Sequence, residues 1–169
     1  GRLVSFLSVS VFSAFFVSIL PLRLSSSCLC PIIRAILQGI YKEGASTLAK
    51  LKDIDKALAL LLVEKAQKKQ GNSTYKEIAQ ELSDRLGYTV NPHYGLSAPL
   101  CAVSTLCYEL GLPLLSARVV RSGSTNLQTV GDGFYSLACE LKPEYKNMDS
   151  VSAWKTEIKL IRECTNWSK

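Results

Sequence analysis

Apolar residues recur every three or four positions from Leu48 onward. Leu48, Leu51, Ile54, Leu58, Leu61 and Leu62 fall on one face of a helix, with Lys50, Lys52, Asp53, Asp55 and Lys56 on the other. Ser46 or Thr47 can cap that helix, which is expected to run to about Gln70. Lys68 and Lys69 suit its C-terminal dipole, and Gly71 or Asn72 can take the left-handed cap. Ser73 or Thr74 opens a second helix, with Glu77 placed for a capping box, Ile78, Ala79 and Leu82 turned inward, and Gly87 closing it. The segment YTVNPHYGLSAP is broken by Pro92, Gly95 and Pro99 and reads as a loop. A third helix follows from about Ala98 to Leu110, burying Leu100, Val103, Leu106 and Cys107.

Gly111 caps the third helix and Pro113 prevents its continuation. Leu114 to Arg121 then reads as a strand, SGSTNLQTVGDG as a long turn, and GFYSLACEL as a second strand-like run. Ser150 to Glu163 completes the pattern as a helix capped by Ser150 or Ser152 and ending near Trp167. The expected fold class is α+β: a winged-helix-like helical bundle carrying a β-hairpin over residues 45–169, preceded by an apolar leader over residues 1–44.

The leader contains a charge-free run from Val4 to Leu22, between Arg2 and Arg23. Three readings stay open for it: upstream sequence foreign to the domain, a signal or membrane anchor, and a helix buried in the fold. A cytoplasmic location is expected, with secretion or membrane anchoring through residues 4–22 as the alternative.

Composition changes this picture little. A chain of 169 residues with 47% hydrophobic and 20% charged residues forms an ordinary folded core. The formal net charge is +6, but half of it falls in residues 1–44, where Arg2, Arg23, Arg34 and Lys42 face only Glu43. The remaining chain is mildly basic, which is compatible with DNA without demanding it. The cysteines Cys28, Cys30, Cys101, Cys107, Cys139 and Cys164 form no CxxC pair. Cys101, Cys107 and Cys139 sit among apolar neighbours and read first as buried thiols, with disulfides or a scattered metal site as alternatives.

Chemistry-bearing signals are weak. His93 is the single histidine and shares a loop with Asn91 and Tyr94, so it reads as a loop or phosphate-contacting residue rather than a catalytic base. Asp132 stands between two glycines and suits a turn. No cofactor, metal site or catalytic residue is expected.

From Thr74 to Val120 the chain resembles the DNA-binding half of alkylguanine-DNA alkyltransferases and alkyltransferase-like proteins. Thr74, Tyr75, Glu77, Ile78 and Ala79 match that family's Thr-Tyr-Gly-Glu-Leu-Ala helix start, with Lys76 in place of glycine. Leu115, Ser116, Ala117, Arg118 and Val119 stand where the family carries Pro-Cys-His-Arg-Val. Ser116 thus replaces the alkyl-accepting cysteine and Ala117 the histidine that activates it. The resemblance implies DNA binding without alkyl transfer. STYKEIAQEL, LPLLSARVV, GDGFY and TNWSK also follow the order of an uncharacterised bacterial group with Thr-Tyr-x-Glu-Leu-Ala, Leu-Pro-x-Leu-Thr-x-Leu-Val-Val and Pro-Gly-x-Gly-Phe motifs. Val130 occupies the place of that proline.

The resulting expectation is a non-catalytic protein that binds duplex DNA. Its contact residues are Thr74, Tyr75, Lys76, Arg85, His93, Tyr94, Ser116, Arg118 and Arg121, with affinity drawn mainly from phosphates. Each has a plainer alternative: Tyr75 as a packed aromatic, Lys76 as a solvated cation, Arg118 in an internal ion pair. Two rival functions remain, a component of a DNA-processing or restriction system and a protein-interaction module using the same helices. A protein partner stays open, and a membrane enters only through the leader.

Overall fold

A computed structural model describes residues 30–38, 51–122 and 129–167. In chain order the helices are α1 (Pro31–Gln38), α2 (Asp53–Gln67), α3 (Tyr75–Leu86), α4 (Ser97–Glu109), α5 (Asp132–Leu141) and α6 (Ser150–Glu163). The strands are β1 (Ser73–Thr74), β2 (Val119–Arg121) and β3 (Thr129–Val130). The architecture is α+β, mostly helical with one small sheet.

Helix α2 is the central element. Leu58, Ala59, Leu61, Leu62, Val63 and Ala66 bury enough of its circumference for α1, α3 and α4 all to pack against it. Its first turn is fixed by Asp55, whose carboxylate accepts from the Lys52 backbone N–H at 2.8 Å. It starts later than its hydrophobic spacing suggests, at Asp53, and residues 39–50 lie outside the described residues. Its end is turned by Lys69, at φ 51°, rather than by Gly71 or Asn72.

Helix α3 follows its sequence signals closely. Thr74 Oγ1 accepts from the Glu77 backbone N–H at 3.3 Å while Glu77 accepts from Thr74 N–H at 2.7 Å, and Gly87 closes the helix at φ 73°. Ile78, Ala79 and Leu82 are buried, as are Leu100, Val103, Leu106 and Cys107 on α4. Helix α6 is capped by Asp149, which accepts from the N–H groups of Val151 and Ser152, not by Ser150 or Ser152.

Two expected strands are corrected. Leu115–Arg118 is a 3-10 turn, and only Val119–Arg121 is extended. All four turn residues are buried, so the run faces interior on every side and lacks the one-sided exposure of an edge strand. GFYSLACEL lies wholly within α5. Phe134 and Ala138 at helical spacing face the core, while Asp132, Ser136 and Glu140 face solvent. The sheet has the order β1-β2-β3. Ser73 and Thr74 pair parallel with Val119 and Val120, and Val120 and Arg121 pair antiparallel with Val130 and Thr129.

The boundary at residue 45 also moves. Helix α1 lies in the expected leader, yet Cys30, Ile32 and Ile36 belong to the main core. The Val4–Leu22 run lies outside the described residues, among which no helix is long and apolar enough to cross a membrane. The described cysteines are free thiols; Cys101 is exposed, contrary to its apolar neighbourhood, because it falls on the outer face of α4.

A chain beginning at residue 45 should therefore be less stable than one beginning at residue 30. Two buried isoleucines are lost, at roughly 1.5–3 kcal/mol each. Urea denaturation of the two fragments measures the difference; coincident midpoints would show that α1 contributes nothing.

Candidate nucleic-acid interface

The fold brings the three sequence motifs to one place. Parallel pairing of β1 with β2 sets the N-terminus of α3 beside the end of β2, and antiparallel pairing of β2 with β3 brings in Gly131 and α5. Tyr75, the first residue of α3, is half-buried there. Its hydroxyl lies so near the Gly131 backbone that a Cβ added at Gly131 would stand 2.9 Å from it. Arg121 Nη1 reaches Asp132 at 3.4 Å across the same edge, with both side chains mostly exposed. Burial raises the Tyr75 pKa; Arg121 opposes that shift and Asp132 reinforces it. Lys76 is exposed next to Tyr75.

The loop before α4 is shaped by Asn91, whose Oδ1 accepts from the backbone N–H of His93 at 2.8 Å and of Tyr94 at 3.2 Å. A Cβ at Gly95 would come within 2.7 Å of the Asn91 carbonyl, so the tight return needs glycine. His93 is exposed, and Tyr94 is 87% exposed. The outer face of α4 presents Ser97, Ala98, Cys101, Tyr108 and the acidic Glu109, and the helix contains no Lys or Arg.

Two expected contact residues are withdrawn from the surface. Ser116 is 5% exposed, and its Oγ lies 2.6 Å from Ser104 Oγ, which also donates to the Leu100 carbonyl at 2.8 Å. Its hydroxyl thus belongs to a buried hydroxyl pair with Ser104 of α4. Arg118 is 6% exposed and donates through Nη2 to the Gly71 carbonyl at 2.9 Å. Its Nε has no hydrogen-bond partner among the described residues, and burial, with the nearby Arg162 charge, lowers its pKa. Neither side chain can reach a DNA backbone while the core is closed. Arg85 is exposed but engaged, at 2.6 Å from Glu64, which also pairs with Lys68. Thr74 is committed to capping. Tyr75, Lys76, His93, Tyr94 and Arg121 remain accessible or half-accessible.

Sequence reasoning missed the buried carboxylate of Glu157, which accepts from the Leu114 backbone N–H at 2.7 Å, Lys142 at 2.5 Å and Tyr145 at 2.5 Å. The available signal was a single acidic residue on the same helical stripe as Ala153 and Ile161. Cys107 is enclosed, and burial pushes its thiol up to about 12, which removes it as a nucleophile near neutral pH. Among the described residues no group of three or more His, Cys, Asp or Glu converges as metal ligands. No protein-family model, curated protein or solved structure matches the chain.

The Tyr75–Gly131 contact is directly testable. Gly131 has φ −71°, so alanine meets steric crowding without backbone strain. Gly131→Ala should cost about 1–2 kcal/mol in denaturation. In a Tyr75→Phe background, where the crowding oxygen is gone, most of that loss should disappear. An equal loss in both backgrounds would contradict the contact.

Proposed function

We propose that this chain is a non-catalytic duplex-DNA-binding protein with a winged-helix-like arrangement, resembling alkyltransferase-like proteins. The observation that carries this reading is the order α2-β1-α3-α4-β2-β3, in which β2 and β3 form an antiparallel pair after two consecutive helices. In such an arrangement the helix after the loop enters a groove and the strand pair lies against the backbone. The N-terminal part of the outer face of α4, with the small residues Ser97, Ala98 and Cys101 and the Asn91–Tyr94 loop at its start, suits close approach to base edges. Lys76 and Arg121 supply phosphate contacts, with Tyr75, His93 and Tyr94 beside them. The replacement of an acceptor cysteine by buried Ser116 supports binding without alkyl transfer. A cytoplasmic location accords with this reading.

One observation favours a protein-interaction module instead. Helix α4 has no cation, and Tyr88, Tyr94 and Tyr108 are exposed in or near it, a composition common at protein interfaces.

The two readings separate by salt dependence. The protein should bind duplex DNA with roughly micromolar affinity at low salt and lose it steeply as salt rises. Lys76→Ala with Arg121→Ala should weaken binding about tenfold without lowering the melting temperature. Absence of binding at low salt, or binding indifferent to salt, would overturn the DNA reading.

A further inference from the structure

Several cations around α2 and α3 have a carboxylate beside them. Lys56 pairs with Asp53, Lys65 with Glu81, and Lys68 and Arg85 with Glu64. Helix α6 differs. Lys155, Lys159 and Arg162 are spaced i, i+4, i+7 and all exposed, opposite the buried stripe of Ala153, Glu157 and Ile161. The one acidic side chain on their flank is Glu163, 3.9 Å from Lys159, with both groups largely in solvent. A pair of that kind contributes little. Lys155 and Arg162 have no ion pair among the described residues.

Beyond Arg162 lies the buried Arg118 guanidinium, satisfied at one nitrogen by the Gly71 carbonyl, with no carboxylate paired to it among the described residues. The two guanidinium groups are close enough for Arg162 to act electrostatically on Arg118. Like charges left together without an internal acid concentrate a positive field at the C-terminal end of the stripe, and an external polyanion relieves it. The stripe covers about 10 Å of helix axis, a length over which one strand of duplex DNA presents about three phosphates.

We propose that the outer face of α6, through Lys155, Lys159 and Arg162, is a second phosphate-backbone contact for duplex DNA. This rests on the DNA-binding reading and extends it: α4, which carries no Lys or Arg, lies toward the groove, and α6 contributes much of the electrostatic affinity.

The test uses the full chain and a duplex oligonucleotide of arbitrary sequence, titrated over a range of salt concentrations. Lys155→Gln, Lys159→Gln and Arg162→Gln together should lower low-salt affinity at least about tenfold and reduce the salt slope by about 2–3. Lys52→Gln, Lys56→Gln and Lys68→Gln together remove the same charge from α2 and its start and should change both quantities far less. Lys155→Arg with Lys159→Arg should bind like the parent chain. Melting temperatures identify any variant that fails to fold, in which case the single Lys155→Gln and Lys159→Gln proteins, each reducing the slope by about one, replace the triple variant. Equal losses in the α6 and α2 triple variants would overturn the α6 contact while leaving DNA binding intact. Absence of binding by the parent chain would overturn both.

Discussion

A carboxylate with no solvent exposure, Glu157, ties α6 to the segment after α4 and to the turn after α5. A lone charge in such a place would be costly or would neutralise itself. Glu157 avoids this with three donors from two segments: the Leu114 backbone N–H after α4, and the Lys142 ammonium and Tyr145 hydroxyl of the turn after α5. Lys142 balances its charge and also lies 5.6 Å from the centroid of the Tyr145 ring. Burial, followed by the hydrogen bond to Glu157, raises the Tyr145 pKa, which keeps the phenol a donor.

The consequences run outward from Leu114. Its N–H belongs to the segment after Pro113, where no helix or ladder offers an acceptor, so Glu157 fixes where the chain leaves α4 and enters the Leu115–Arg118 turn. Trp154, one turn earlier on α6, donates to the Ala117 carbonyl at 2.7 Å and holds the other end of that turn. The turn in turn sets the register of β2 against β1, and that register places Tyr75 against Gly131 and Arg121 near Asp132. The candidate interface is therefore positioned by polar contacts made outside it, at either end of the turn that leads into β2.

Much of the helical half was legible in the sequence. The capping box at Thr74–Glu77, the closing glycines at Gly87 and Gly111, and the apolar stripes of α3 and α4 are local signals, and local physics decides them. The strand expectations failed where tertiary burial competes with period. LSAR is buried all round, so its apparent alternation carried no information about faces, and GFYSLACEL contains aromatic and small residues at helical spacing that also suit a strand. The site was legible only as residue types. Arg118 and Ser116 read as surface contacts because nothing in their short segment reveals that α4 and α6 close over it. Glu157 was illegible, because its three partners lie 43, 15 and 12 residues away.

The dependence of the fold on Glu157 is most directly measured by equilibrium urea denaturation of Glu157→Ala. Removing the carboxylate strands a partly buried ammonium, a buried phenol and an amide, and the expected loss is about 3–5 kcal/mol with an unchanged denaturant slope. Glu157→Gln, which keeps an acceptor for Leu114, should lose less. A Glu157→Ala protein within about 1 kcal/mol of the parent would contradict the role assigned to this contact, because the neighbouring elements would then hold their places without it.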